Sequence, residues 1–515
     1  MNRYVHRLSA MLLVAIIVLI FGCAGVGPSG DDSPHVRVTV LFFNDLHGHL
    51  SPFEIKDGDG TREVGGIARI ATIVGAIRAE NAKKKIHTLV LVAGDILQGT
   101  PMSTVFKGEP DIKCLNALGV DALTVGNHEF DFGLQNFLDI RQQAAFPFLS
   151  ANIIAKNTGR KICRPGITIP LADGADLTII GVTTRYLLHT TKADNVAALD
   201  VLDPVASAVP LYERSKKLGP VILLSHSRHV TDRALARAMP GLAAIIGGHD
   251  QILLSPYRKE GAVPIFQAFE KGRYLGRIDL DIDPATRKAA LVAADYIPIT
   301  AAIRPHPGVA KIVAAYEKRL GRQFKTVIGR SAVYLDGERE HVRYRETPLG
   351  NFIADIMRAH TGTQVALINS GGLRASIRKG PVTVADVFKA MPYANELVVV
   401  ELSGTELLQV LTRAAEGARG DEDGGFLQVS GIAFEIRGHQ VQNVSIGKEK
   451  QALDPARKYT VAVPDFLASG GDDHTVFKGK PSIKTGLPLR ELIVDTVKQQ
   501  KVISAEVEGR IVRLP

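Results

Sequence analysis

Val36-Arg37-Val38-Thr39-Val40-Leu41-Phe42-Phe43-Asn44-Asp45-Leu46-His47 is the stretch that decides the fold class. Val36, Val38, Val40 and Phe42 form one wholly apolar face. The other face starts with Arg37 and Thr39 and ends with Leu41 and Phe43. β-Branched residues at period two predict a strand, and its apolar end predicts burial on both faces there. The strand then runs into a turn that carries an amide, a carboxylate and an imidazole.

The same pattern recurs outward along the chain. Apolar runs at Thr88–Ala93, Ala122–Val125, Leu177–Val182, Val221–Leu224 and Ala243–Ile246 alternate with helical stretches such as Ile67–Glu80. This alternation predicts an α/β fold. The runs end in Gly94-Asp95, Gly126-Asn127-His128, Ser225-His226 and Gly247-Gly248-His249. Polar groups at strand ends sit at the rim of a sheet, where α/β folds bind ligands.

A second region follows. His306–Gly321 reads as one amphipathic helix, with Pro307 starting it, Gly321 ending it, and Val309, Ile312, Val313, Tyr316 and Leu320 on one face. It is predicted to connect two domains, as a chain of 515 residues is expected to have. Beyond it, helices are expected at Asn351–His360, Val384–Met391, Gly404–Ala418 and Leu489–Lys501. Strands are expected at Gln364–Ile368, Leu397–Glu401 and Tyr459–Val463.

Composition narrows the function. Apolar residues make up 45% and charged residues 22%, as in globular proteins. The net charge of +9 is compatible with anionic partners, but without a dense Lys/Arg tract it reads first as a basic, ordinary surface and gives little support to nucleic-acid binding. Arg3 and Arg7 precede the apolar run Ala10–Phe21, which is shorter than the roughly 20 residues a membrane span needs. It fits the core of a signal peptide. The ending Ile20-Phe21-Gly22-Cys23 resembles a bacterial lipoprotein signal with Cys23 acylated; plain secretion is the alternative. Either way the expected place is outside the cytoplasm, in the periplasm or at the cell surface, with membrane association through the lipid if Cys23 carries one. Cys114 and Cys163 are the other cysteines, open to pairing or to burial as free thiols. That count excludes a cysteine-based zinc site.

Asp45, His47, Asp95, Asn127, His226, His249 and Gln251 form a ligand set. Carboxylate oxygen and neutral imidazole suit divalent transition metals. Four ligands for each of two ions use every member once and Asp95 twice. Two ions about 3.5–4 Å apart clamp an in-line phosphoryl displacement. Mixed N/O donors suit Zn or Mn. A single histidine of this kind is more often structural; the ordered set, without cations, would leave charges repelling one another or unsatisfied. His229 is a weaker rival to His226, and His49 is expected to be a neighbour of the site.

These motifs resemble those of calcineurin-like metallophosphoesterases, carried by Phe43-Asn44-Asp45-Leu46-His47-Gly48, Gly94-Asp95, Gly126-Asn127-His128-Glu129-Phe130-Asp131 and Gly247-Gly248-His249-Asp250-Gln251. They are similar, more narrowly, to the 5'-nucleotidase family. The resemblance implies a four-layer α/β/β/α sandwich joined by a helix to a smaller α+β substrate-binding domain. It implies one metal on Asp45, His47, Asp95 and Gln251, the other on Asp95, Asn127, His226 and His249, and a catalytic pair, His128 with Asp131. The organisation expected is 1–22 signal peptide, 23–34 tether, 35–303 metallophosphoesterase domain, 304–325 linker helix and 326–515 nucleotide-binding domain. In this family the linker lets the second domain rotate.

The C-terminal motifs Arg343-Tyr344-Arg345-Glu346, Asn369-Ser370-Gly371-Gly372-Leu373-Arg374, Pro392-Tyr393 and Asp465–Asp472 resemble the family's substrate domain. Carried over, Tyr393 and Phe466 would sandwich the base and Asp472 would bind ribose hydroxyls. Arg343, Arg374 and Asn369 would hold phosphate and ribose or base edges, with Gly372 allowing close approach. Family members usually have Phe where Tyr393 stands. The activity implied is hydrolysis of nucleoside 5'-monophosphates to nucleoside and phosphate by metal-activated hydroxide. UDP-sugars, 2',3'-cyclic nucleotides and nucleoside di- or triphosphates are alternative substrates. A surface binding protein with a relict site is the non-enzymatic alternative.

Overall fold

A computed structural model describes residues 35–57, 60–393, 395–417 and 423–515. The signal segment, the tether and Cys23 lie outside the described residues. The opening strand, Val36–Phe43, pairs in parallel with His87–Val92 and antiparallel with Tyr274–Asp283 inside a six-stranded sheet. A second six-stranded sheet is centred on Asp176–Thr183, Val221–His226 and Ala244–Ile246, which run parallel.

The alternation of the first strand divides its side chains between two cores. Val38, Val40 and Phe42 pack with Leu177, Ile179, Ile222 and Leu224 of the second sheet. Leu41 and Phe43 join Val90 and Val92 against helices Ile67–Lys83 and Glu109–Leu118. On the far side, Ile180, Val182 and Leu223 pack under helices Pro204–Ser215 and His229–Ala238. The layers therefore run helix, sheet, sheet, helix. Each fully buried Leu, Val or Phe contributes about 1.5–3 kcal/mol by leaving water. Gly276 lies beneath Phe42: a Cβ there would stand 2.2 Å from the ring.

The C-terminal region is α+β. Its five-stranded sheet has the order Leu427–Ser430, Val365–Asn369, Lys458–Pro464, Glu396–Ser403, Ser482–Pro488. Pro348–Thr361 and Leu489–Gln500 share a core with one face of it, and Gly404–Ala415 with the other. Ser403 and Thr383 close capping boxes with Glu406 and Asp386, which fixes where two helices begin. The helix expected to reach Ala418 ends at Ala415, with Glu416 as its C-cap.

The connecting helix runs Pro307–Leu320 with His306 as N-cap. Its apolar face is not free. Val309, Val313 and Tyr316 are buried in the N-terminal core, and Tyr316 lies edge-on to Phe106 at 5.0 Å. The Tyr316 hydroxyl donates to Glu109 Oε1 at 2.5 Å. Cys114 and Cys163 are both buried and unbridged. Among the described residues, no helix is long and apolar enough to cross a membrane.

Candidate active site

The polar strand ends converge. Asp45, His47, Asp95, His249 and Gln251 all adopt left-handed backbone, with φ of 51°, 47°, 53°, 78° and 59°. Each such residue costs on the order of 1 kcal/mol. The turns are held there by backbone bonds between strands: Asp45 N–H donates to Gly94 O and His47 N–H to Asp95 O, both at 3.0 Å. Glycine is needed where the turns touch. A Cβ on Gly126 would stand 2.2 Å from Asp95 Oδ1, and one on Gly94 2.5 Å from His226 Nδ1.

Asp95 is the centre. Its carboxylate forms one close group with His47 and His128 and another with His226 and His249, ligand atoms in each lying within 4.8 Å. His226 Nε2 is 3.0 Å from Asp95 Oδ2, and His47 Nε2 is 3.8 Å from Asp45 Oδ1. His249 N–H and the Asn44 amide both donate to Asp45 Oδ2, at 2.9 and 2.7 Å. The Gln251 amide donates to His47 Nε2 at 2.7 Å. Asn127 lines the same cleft as Asp95, His249 and Gln251, so all seven predicted ligands lie in one region. His229 instead starts the helix His229–Ala238 and is absent from both groups, and His49 turns its Nδ1 to His47 O at 2.8 Å.

The donor set fits cations. Asp45 Oδ1 and Asn127 Oδ1 are buried without a hydrogen-bond partner. Burial pushes the Asp45 carboxyl up to about 7. Burial also pushes Asp95 up, but His226 and His128 outweigh it and hold Asp95 well below the usual carboxylate range. Burial presses His47 and His249 well below the usual imidazole range, which favours the neutral, ligating form.

His128 and Asp131 meet as predicted, with Nδ1 and Oδ2 2.6 Å apart. Burial disfavours the charged imidazole, yet Asp131, Tyr393 and Asp95 raise His128 well above its ordinary value. These neighbours favour the protonated imidazole, a form that can donate to an anion.

The C-terminal half completes the site. Arg374 Nη2 reaches His47 Nε2 at 3.3 Å, and Tyr393 stacks on His128 at 5.7 Å with planes 24° apart. Asn369 donates to Asp472 Oδ2 at 2.8 Å. The Phe466 ring lies on Gly471, where a Cβ would be 2.4 Å from it. A cleft of about 350 Å³ touches Asp95, His128, Arg343, Arg374, Tyr393 and Phe466, and Gly372 and Asp472 also border it. Burial, Arg339 and Arg374 push Arg343 well below the usual guanidinium range, and all three guanidiniums border the cleft.

Residues 38–252 match the calcineurin-like phosphoesterase family, and residues 327–479 match the 5'-nucleotidase C-terminal domain. The crystal structure of a 5'-nucleotidase precursor from Thermus thermophilus superposes with a TM-score of 0.86 at 33% identity, covering 93% of this chain and 99% of that one. The chain belongs to the 5'-nucleotidase family. As a member it is a phosphoric ester hydrolase with a divalent-metal centre. A 5'-nucleotidase of Vibrio cholerae is 29% identical over 96% of both chains. The trifunctional nucleotide phosphoesterase YfkN of Bacillus subtilis is 30% identical over 92% of this chain, which spans 35% of that longer protein.

Sequence reasoning about this 5'-nucleotidase-family chain missed two side chains. Arg339 Nη1 donates to Gln251 Oε1 at 2.6 Å, joining the two halves beside the candidate ligand cluster. Its signal was its place four residues before Arg343, on the same face of a helical turn. Glu129 lies inside a recognised motif, but its task is not visible there. Its carboxylate accepts Asp95 N–H at 3.1 Å, Ile96 N–H at 2.8 Å and Gly126 N–H at 2.5 Å, clamping two ligand turns together.

Proposed function

We propose that this protein hydrolyses nucleoside 5'-monophosphates to nucleoside and phosphate. The observation that carries the reading is the Arg374–His47 contact, which brings a guanidinium of the C-terminal half to the ligand cluster, with the Tyr393 and Phe466 rings bordering the same cleft. Asp45, His47, Asp95 and Gln251 would hold one divalent ion; Asp95, Asn127, His226 and His249 would hold the second. Zn or Mn bound there would acidify a water near neutral pH and neutralise phosphate oxygens. Arg343 and Arg374 bind and orient the phosphate. Tyr393 and Phe466 grip the base by its faces, Asn369 aligns Asp472 for the ribose, and Gly372 gives room for the sugar. His128, kept protonated by Asp131, donates to the charge that develops on the departing oxygen.

This assignment divides the chain at the connecting helix, with catalysis in 35–303 and nucleotide binding in 326–515. Export is part of the proposal, with Cys23 acylated or the chain simply secreted; the mass of the mature N-terminal peptide distinguishes these. The test of function is phosphate release by Mn- or Zn-loaded enzyme from AMP, a UDP-sugar, a 2',3'-cyclic nucleotide and ATP. AMP is expected to be cleaved well. Inactivity on AMP with strong activity on a cyclic nucleotide would overturn the reading. Arg185 and Arg228 border the same cleft and favour a second reading, in which nucleoside di- or triphosphates are also accepted.

A further inference from the structure

The segment Tyr186–Asn195 belongs to the N-terminal half, yet it is bonded on both sides. Toward the catalytic turn, Thr191 Oγ1 donates to Asn127 O at 3.1 Å and Asn195 Nδ2 donates to Asp131 O at 2.8 Å. His128 lies between those two carbonyls in the chain. Toward the C-terminal half, Lys192 Nζ is 2.7 Å from Asp465 Oδ2, and His189 Nδ1 is 2.8 Å from Asp473 Oδ1. The partners are not arbitrary surface acids. Asp465 Oδ1 accepts the N–H of Phe466 at 2.9 Å and that of Glu396 at 3.1 Å, so this carboxylate sets the backbone of the ring-bearing turn. Asp473 follows Asp472, and both adopt left-handed backbone, with φ of 62° and 52°.

The contacts alternate along the segment. Residues 189 and 192 point to the loop that carries Phe466 and Asp472; residues 191 and 195 point to the turn that carries His128 and Asp131. Thr191 is buried, whereas Lys192 and His189 are each 42% exposed on their side chains. The inner contacts are therefore built into the fold. The outer ones are of the kind that forms and breaks with little cost.

We infer that Tyr186–Asn195 is a positioning strap, which ties the nucleoside-holding loop to the catalytic turn and makes hydrolysis favour esters that carry a nucleoside. A nucleoside gripped by Phe466 and Asp472 keeps Asp465 and Asp473 in reach of Lys192 and His189. The strap then holds the C-terminal half against the turn whose carbonyls it already binds. An ester without a nucleoside leaves that loop unengaged and gains nothing from the strap. The inference rests on the nucleotide reading above.

The test compares AMP with p-nitrophenyl phosphate on full-length, metal-loaded enzyme. A half-exposed ion pair such as Lys192–Asp465 shifts an equilibrium by up to about fivefold. The double variant Lys192→Gln/His189→Gln should therefore lose roughly fivefold in kcat/KM for AMP and stay within about twofold on p-nitrophenyl phosphate. Lys192→Arg, which keeps the charge, should retain activity on AMP. The strap is overturned if the double variant keeps the wild-type preference for AMP, or if both esters suffer equally. Wild-type enzyme that treats the two esters alike would overturn the nucleotide reading, and the strap with it.

Discussion

The two halves of the site are built in opposite ways. In the ligand cradle, five of the seven candidate ligands sit on left-handed backbone, locked by bonds between strands and by Glu129. Of the seven predicted substrate contacts, only Asp472 is left-handed; Arg343, Arg374, Tyr393 and Phe466 would act through long or aromatic side chains from several loops. The cradle resembles a casting, in which geometry is set by the main chain. The cleft is assembled by bringing two halves together. A change in the cradle should therefore be all or nothing, whereas a change in the cleft should be graded and depend on substrate.

The sharpest way to break this contrast is Asp95→Ala. It removes the residue common to both ligand groups, and should lower kcat on the order of 10³-fold or more and strip bound metal, measured by elemental analysis. Unchanged turnover would refute the site. Next is Glu129→Gln, which faces three backbone N–H groups with a donor in place of a carboxylate oxygen. Unfolding in urea should show a loss of about 2–4 kcal/mol, since buried donors are left unpaired. A loss of activity with no loss of stability would show that the clamp is not structural.

Graded effects belong to the cleft. Phe466→Ala should raise KM for AMP roughly ten- to a hundredfold with a smaller change in kcat, in line with about 1–3 kcal/mol for a stacked base. An equal loss on p-nitrophenyl phosphate would contradict stacking. Asp131→Asn tests the imidazole. Asp131 is the strongest of the charges that raise His128, so its removal lowers that group. In the proposed role the protonated form is the active one, so activity should be lost as pH rises through the His128 pKa. The alkaline limb of kcat/KM should move to lower pH, with a loss of about tenfold on that limb. A limb that stays put would remove His128 from the reaction. The smallest effect is expected from Tyr393→Phe, under about threefold on AMP, because the ring is kept and stacking acts through its face.

Much of this was legible in the sequence. Period-two runs with acidic and imidazole ends located both sheets of the sandwich, because strands buried on two faces have little freedom in composition. Strand ends were set within one or two residues, as at Leu177–Val182 against the observed Asp176–Thr183. What stayed hidden was distance across the chain. Nothing local in Arg339 says that it reaches Gln251, 88 positions earlier. Nor does Glu129 reveal that its carboxylate will meet Asp95 N–H, since that contact exists only once two parallel strands are side by side. The connecting helix was recognised by its stripe, but the stripe cannot say which half it packs against.

That last point bears on how the protein could be taken apart. Tyr316, Val313 and Val309 plug the N-terminal half from outside, so a protease nick or a gene truncation placed ahead of Pro307 would unroof Phe106 and its neighbours. A severing point beyond Gly321 would leave that half with its own stopper in place, and would be the sensible boundary for expressing it alone.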